Sequence, residues 1–353
     1  MLIGPGLLDE AGDRVVAACP ASAYAVISDS RVAPLLGERV VRQLDTVAPT
    51  TLVTFPAGEW NKNRETWGEV SDRMLAAGLG RDSAVVALGG GVVGDLAGFV
   101  AATYLRGVPV VQIPTTLLAM IDSSVGGKTG VDTPAGKNLI GAFHQPRLVL
   151  ADTATLATLP RPQLAAGSAE ALKHGAIMDA DYFEWLLHHA QDLLAGEPES
   201  TAECVYRSVS IKADVVASDE REHGRRAILN FGHTVAHALE AVSGYALLHG
   251  EAVALGMLAE SRIGAQLGVT DEDVPAQLVE ACERLMLPLE PPTTASPDAL
   301  LDAMMVDKKN RSGSVRFALP RRLGEMARHP DGEWTFAADR SVIDSTITAW
   351  TQA

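Results

Sequence analysis

The run Ser83-Ala-Val-Val-Ala-Leu88 passes without a break into Gly89-Gly90-Gly91-Val-Val-Gly94-Asp95-Leu-Ala-Gly98, and this junction limits the possible folds more than any other stretch of the chain. An apolar run with no polar alternation is the pattern of a strand buried on both faces, as in a parallel sheet covered by helices. The glycines at 89, 91 and 94 then satisfy G-x-G-x-x-G between a strand and a helix. At that position the turn presents helix amides to a pyrophosphate, and the absent side chains let the anion approach. A glycine turn made only for packing is spelled the same way, so the motif needs company before it implies a cofactor.

The surrounding chain supplies it. Short β-branched or apolar runs at 24–28, 51–55, 84–88, 108–113 and 148–151 alternate with helical spacing at 63–77 and 92–105, which predicts a parallel α/β layer. Beyond Pro160 and Pro162 the strand signal fades, and segments 163–177, 200–221, 232–243, 250–267 and 274–286 repeat with helical period. The reading is therefore an α/β domain with a parallel dinucleotide-binding sheet over residues 1–160 and an all-α domain over 161–353.

Bulk properties narrow the function. No apolar run approaches the ~20 residues that span a bilayer, and the amino terminus carries no charged leader with an apolar stretch behind it, so neither membrane insertion nor secretion is expected. Cys19, Cys204 and Cys282 are odd in number and far apart, which fits buried thiols in a reducing cytoplasm. A net charge of −15 argues against a nucleic-acid partner. Of 29 basic residues only seven are lysine: Lys62, Lys128, Lys137, Lys173, Lys212, Lys308 and Lys309. A chain that writes most cations as arginine keeps lysine where a compact ammonium is needed.

Two further clusters carry chemistry. His233 and His237 stand four apart on one predicted helix face, His249 follows in Leu248-His249-Gly250-Glu251, and Glu170 precedes Lys173 by one turn upstream. One carboxylate with two imidazoles is a common catalytic zinc shell with an open position, although spacing does not decide which histidines serve. The acid expected ~20 residues after the glycines of an ordinary dinucleotide fold is missing. Asp29 instead closes an earlier strand, which implies a different strand order. The segment from Gln112 to Gly141, rich in glycine, hydroxyls and ammonium groups, reads as loops whose amides face an anion, without the spacing of a nucleotide-triphosphate loop.

At these residues the sequence closely resembles 3-dehydroquinate synthase, the cyclising lyase of the shikimate pathway that leads to aromatic amino acids. The resemblance runs through the glycine block, Arg106, Asp122 to Gly141, Glu170 with Lys173, Asn230 to His237, His249-Gly-Glu251 and Asp307-Lys308-Lys309. It implies metal ligands at Glu170, His233 and His249 for a divalent zinc or cobalt ion. It implies NAD contacts at Asp29, Glu59, Lys62, Gly90, Gly91, Asp95, Thr115, Thr116, Lys137, Thr158 and Leu159. Substrate-holding and catalytic groups would be Asp122, Lys128, Asn138, Lys173, Lys212, Glu222, Arg226, Asn230, His237 and one of Lys308 or Lys309. Arg106 would reach across a homodimer interface into the neighbouring site.

The implied reaction converts 3-deoxy-arabino-heptulosonate 7-phosphate, a phosphorylated sugar acid, to 3-dehydroquinate and phosphate. Sister cyclases acting on sedoheptulose 7-phosphate share this plan but differ where this chain has Asn230, His237 and the Asp307-Lys308-Lys309 element. A metal-dependent polyol dehydrogenase would have no use for so many lysines. Trp60, Met120, Asp132 and Ala236 depart slightly from the family motifs, and the chain begins at what resembles the end of the family's first strand: either an N-terminal strand is missing or the start is misassigned, which leaves the edge-strand order open.

Overall fold

The computed structural model describes residues 1–219, 224–292, 295–306 and 314–351. The chain divides into two compact units, Met1–Leu159 with Gly196–Tyr206, and Pro160–Ala195 with Arg207–Ala353.

In chain order the first unit contains β1 (Leu2–Gly4), α1 (Ala11–Ala18), β2 (Tyr24–Asp29), α2 (Glu38–Asp45), β3 (Thr50–Phe55), α3 (Arg64–Ala76), β4 (Ala84–Gly89), α4 (Gly91–Thr103), β5 (Val110–Pro114), β6 (Lys128–Thr133), β7 (Gly136–Phe143) and β8 (Leu148–Asp152). Six strands form one all-parallel sheet in the order β1-β8-β5-β4-β2-β3. Alternate residues feed two cores. Ala25, Ile27, Val53, Val85, Ala87 and Val110 pack with Val70, Met74, Val93 and Leu96 of α3 and α4. Tyr24, Val26, Val86, Leu88, Val111 and Ile113 pack with Val15, Val40 and Leu44 of α1 and α2. This double burial is what the unbroken apolar strands require.

Three features settle or differ from the sequence reading. Leu2–Gly4 does form an edge strand, paired with Leu150–Asp152, and the buried Asp152 carboxylate accepts from the backbone N–H of Gly6 and Leu8, both at 2.8 Å. The segment read as anion-facing loops folds in part as the antiparallel hairpin β6–β7. Its register pairs Lys128 with Phe143 and Gly130 with Gly141. The third difference lies in the second unit, which is largely rather than wholly helical.

Its elements are α5 (Arg161–Met178), α6 (Ala180–His188), α7 (Ala190–Ala195), α8 (Pro198–Ser218, begun in the first unit), α9 (His233–Val242), α10 (His249–Gln266), α11 (Val274–Arg284), α12 (Pro297–Val306), β9 (Val315–Phe317), β10 (Pro320–Arg322), β11 (Glu325–Met326), β12 (Phe336–Ala338) and α13 (Arg340–Thr351). The four strands pair as two small antiparallel ladders, β9 with β12 and β10 with β11. They are two or three residues long, too short for a periodic signal to register in sequence. One continuous core, including Leu172, Phe183, Phe231, Leu239, Leu255, Met257, Leu278 and Phe317, holds the unit together. Helices α5 and α9 both pack on α10. A Cβ on Gly250 would lie 1.7 Å from the Ala166 carbonyl oxygen, and one on Gly256 would lie 1.8 Å from that of Gly232. Only glycine allows these approaches, which bring the helix starts at His233 and His249 to Glu170.

Candidate functional site

Functional side chains gather in two clusters, one in each unit. In the first unit β2 leads to β3 on one side and the chain then crosses to β4 on the other, so the strand order reverses between β2 and β4. Such reversals open a crevice at the carboxyl ends of strands, where ligands of parallel sheets bind. Asp29 ends β2 and Gly89 ends β4. Gly90 and Gly91 begin α4 with no side chain capping its first amides, and the following helix supplies the partial positive charge that suits an anion. The Thr115 N–H donates to the Gly89 carbonyl at 2.9 Å. The Thr115 hydroxyl is buried without a hydrogen-bond partner, as expected of a group that awaits a ligand. A Cβ on Gly90 would stand 3.1 Å from Thr116, so the glycine keeps that approach open. These residues fit a dinucleotide.

Beside this edge Lys62 is buried among three carboxylates, 2.8 Å from Glu59, 3.2 Å from Asp95 and 3.7 Å from Asp132. Lys137 lies 3.9 Å from Glu59. Burial alone would lower the Lys62 ammonium, but Asp95, Glu59 and Asp132 raise it above its ordinary value, so it stays charged. Burial pushes Asp95 up to about 6, more than Lys62 can offset. Asp132, unremarked as a functional residue in the sequence, also ties the hairpin down. Its backbone N–H donates to the Lys62 carbonyl at 2.7 Å, and its carboxylate accepts from the Asn138 N–H at 2.8 Å. Asn138 sits there at φ 53°.

In the second unit Glu170, His233 and His249 converge, with their ligand atoms all within 4.8 Å of one another. Glu170 lies on α5, while His233 and His249 are the first residues of α9 and α10. Both Nε2 atoms are 3.4 Å from Glu170 Oε1. Two ligands held ~2.0–2.1 Å from one tetrahedral ion are about 3.3–3.4 Å apart, so this is the separation a zinc-like ion needs. The Nδ1 atoms point elsewhere. That of His233 is 3.2 Å from the Phe231 carbonyl and that of His249 is 3.4 Å from Glu240 Oε1. Oxygens of this kind only accept, so each Nδ1 donates its proton there, which leaves Nε2 as the atom that would face an ion. Neither oxygen of the fully buried Glu170 carboxylate accepts a conventional hydrogen bond. A buried anion so placed beside two imidazole Nε2 atoms fits a divalent cation.

Lys173, one turn along α5 and 2% exposed, makes a close ion pair with Glu170. Burial opposes ionisation of Glu170, yet Lys173 and the two imidazoles outweigh it and hold the carboxyl well below its usual range. Burial and the Lys173 charge lower His233 to about 4. Burial acts in the same direction on His249, but Glu170 and Glu240 outweigh it and raise His249 to about 10.

The remaining expected residues divide between the units. Asp122 lies in the turn Ala119–Ser123, and Lys128 is exposed at the start of β6. Arg106 is exposed at φ 73°. Thr158 and Leu159 end a short helical turn before α5. In the second unit Lys212 and Arg226 are buried, Asn230 closes the turn Arg225–Asn230, and the His237 ring meets that of His233 edge-on at 5.7 Å. Glu222, Lys308 and Lys309 lie outside the described residues. Sequence reasoning missed Glu240 and Glu260. Glu240 lies seven residues after His233, two turns along the same helix face, and that spacing was legible.

Comparison with known proteins gives a consistent result. A family model of the 3-dehydroquinate synthase N-terminal region matches residues 52–166, and one of the C-terminal region matches residues 167–310. A 3-dehydroquinate synthase of Symbiobacterium thermophilum is 50% identical over 332 residues, 93% of each chain. Among solved structures, 2-deoxy-scyllo-inosose synthase complexed with carbaglucose-6-phosphate, NAD+ and Co2+ is similar with a TM-score of 0.90 at 26% identity, covering 99% of this chain and 96% of that one. The 2-epi-5-epi-valiolone synthase of Streptomyces hygroscopicus with NAD+ and Zn2+ bound is similar with a TM-score of 0.88 at 31% identity, with the same coverage.

Proposed function

The chain belongs to the 3-dehydroquinate synthase family, and on that premise we propose that its two clusters serve the conversion of 3-deoxy-arabino-heptulosonate 7-phosphate to 3-dehydroquinate and inorganic phosphate. It is an NAD- and divalent-metal-dependent lyase of the shikimate pathway. The observation that carries this reading is the spacing of Glu170, His233 and His249 beside the buried Lys173. The higher identity to a dehydroquinate synthase than to the sister cyclases favours the sugar-acid substrate.

Bound NAD would supply a reversible hydride acceptor, and a divalent ion held by Glu170, His233 and His249 would supply a Lewis acid for the carbinol oxygen, so that one oxidation is matched by one reduction. The chain's own groups do the rest. With the carbinol at the ketone level the neighbouring C–H is acidic and phosphate leaves by elimination; once the ketone is returned to the carbinol, ring opening frees an enolate and a ketone that close into the carbocycle. Lys128, Lys173, Lys212, Arg226 and one of Lys308 or Lys309 hold the substrate's phosphate and carboxylate, while Asp122, Asn138, Glu222, Asn230 and His237 contact its reacting face. Holding the substrate in register is worth several kcal/mol, up to ~7–11 in the best-aligned cases. On the cofactor side, Gly90 and Gly91 lie under the pyrophosphate. Asp29, Glu59, Lys62, Asp95, Thr115, Thr116, Lys137, Thr158 and Leu159 hold the rest of NAD.

The working form is a cytoplasmic homodimer in which Arg106 of one protomer completes its neighbour's site. Support comes from Leu105 and Arg106, at φ 49° and 73°, a costly backbone pair that holds an exposed arginine at the end of α4. The thiols at Cys19, Cys204 and Cys282 are buried and none forms a disulfide, which accords with a reducing compartment. No helix among the described residues is long and apolar enough to cross a membrane.

The test is phosphate release by the purified chain with zinc or cobalt and catalytic NAD. 3-Deoxy-arabino-heptulosonate 7-phosphate should turn over and sedoheptulose 7-phosphate should be poor. Phosphate released from the second sugar and not the first would move the chain to the sister cyclases.

A further inference from the structure

Helices α9 and α10 each begin with an imidazole of the metal centre, and each also carries a buried carboxylate that reaches the start of the other. Glu240, on α9 and 3% exposed, places Oε1 3.4 Å from Nδ1 of His249. Glu260, on α10 and fully buried, accepts from the Gly232 N–H at 2.8 Å through Oε2 and from the Val235 N–H at 3.0 Å through Oε1. Gly232 caps α9 in the left-handed conformation and has no side chain to satisfy the first amides. The Glu260 carboxylate does so from another helix, gripping the backbone on both sides of His233. Four residues earlier on α10, Gly256 lets the two backbones meet.

We propose that Glu240 and Glu260 are positioning residues for the metal ion, forming a reciprocal brace in which each helix fixes the other's ligand. The brace divides the work. Glu240 accepts the Nδ1 proton of His249, which fixes the ring's rotation and leaves Nε2 as the donor. Glu260 acts on the backbone, through the Gly232 and Val235 N–H groups. It sets the entry of α9, and with it the position of the His233 side chain, and a carboxylate at a helix N-terminus is favoured by the exposed amides as well as by their partial charge. Two helices tied in this way hold their donors at ion-binding distance before any ion arrives. The inference rests on the metal-centre reading given above.

The test measures Zn2+ affinity of the full chain by competition with a chromophoric chelator, without NAD or substrate, and the visible absorption of the Co2+-loaded protein. Circular dichroism checks each variant's fold. Glu240→Ala should weaken zinc about 10–100-fold and alter the cobalt spectrum, as loss of such hydrogen bonds to metal-bound histidines generally does. Glu240→Gln keeps an amide oxygen that can accept from Nδ1 and should stay within about threefold of wild type. Glu260→Gln can satisfy only one of the two amides and should weaken zinc by roughly tenfold. Glu170→Ala is the control. If Glu170→Ala loses zinc while Glu240→Ala binds within twofold of wild type, the brace is wrong and the metal centre stands. Equal losses in Glu240→Ala and Glu240→Gln would also overturn it, because charge rather than the accepted proton would then be responsible. If Glu170→Ala leaves affinity unchanged, the metal-centre reading itself fails.

Discussion

Removing both members of the Glu170–Lys173 pair should cost the metal-free protein clearly less than the two single losses added together. Glu170 is fully buried and Lys173 is 2% exposed, so neither charge can turn to water when its partner is lost. At an effective dielectric near 20, opposite unit charges 4 Å apart attract by about 4 kcal/mol, and breaking a buried pair typically costs about 3–5 kcal/mol. The two single changes are not equivalent. Lys173→Met leaves the carboxylate facing His249, whose raised proton affinity lets it serve as a substitute cation. Glu170→Gln leaves the ammonium against two imidazoles with no anion between them, and should be the worse by about 1–2 kcal/mol. The second unit has roughly 180 residues, for which ~3–5 kcal/mol corresponds to a melting shift of about 6–20 °C. The double variant Glu170→Gln/Lys173→Met removes both charges and should recover at least about 2 kcal/mol of the summed losses. Urea unfolding in the presence of a chelator measures all three. Single variants within about 1 kcal/mol of wild type, or a strictly additive double, would refute the claim that this pair is a buried charge couple.

Two further outcomes follow from the same geometry. Burial raises Asp95 to about 6 in the folded chain against 3.8 for the free carboxyl, so the folded state holds the proton more tightly. Its contribution to stability is full below pH 3.8 and is lost as pH rises through 6, up to about 3 kcal/mol. The stability of wild type relative to Asp95→Asn should therefore increase when the pH is lowered from 7.5 to 5, and a flat difference in urea midpoints would contradict it. Gly250→Ala places a Cβ against the Ala166 carbonyl, forcing α10 away from α5 and His249 away from Glu170. Zinc retained after gel filtration should fall by tenfold or more, with a stability loss of about 1–3 kcal/mol from overpacking. Full retention would show that the helices can shift without disturbing the ligands.

What the sequence revealed follows the length scale of each signal. Five of the six sheet strands and the major helices were legible because their apolar periodicity runs over many residues, and Asn63, the N-cap of α3, accepts from Thr66 as its position implies. The hairpin β6–β7 was hidden because its strand residues are mostly glycine, lysine and threonine, and Gly136–Phe143 is half exposed and carries no alternating apolar face. The ladders of the second unit were too short to register. Motif matching could name Glu170, His233 and His249 together, but spacing alone left His237 in competition. The structure brings Nε2 of His233 and of His249 within 3.4 Å of Glu170 and groups these three residues together. The residues that aim the ligands, Glu240 and Glu260, carry no motif of their own, since their role depends on which helices meet.

Lysine usage was a weaker signal than any motif, yet it has a physical basis. Lysine is almost never fully buried unless paired, and of the five lysines among the described residues Lys62, Lys173 and Lys212 are buried. Lys62 is ringed by Glu59, Asp95 and Asp132, and Lys173 is set against Glu170. An arginine would not replace either well. Its planar head is larger and presents five donors in a fixed fork, whereas an ammonium is a compact charge with three rotatable donors. In each cluster the lysine lets carboxylates remain ionised where burial would otherwise neutralise them. The acidic composition of the whole chain therefore says little about its centres, where the local balance of charge is set by a few internal cations. Substituting Lys62 with arginine should strain the Glu59 and Asp95 contacts and weaken NAD binding, even though the net charge of the chain is unchanged. Undiminished NAD affinity on titration would show that charge alone, and not the compactness of the ammonium, is what that position requires.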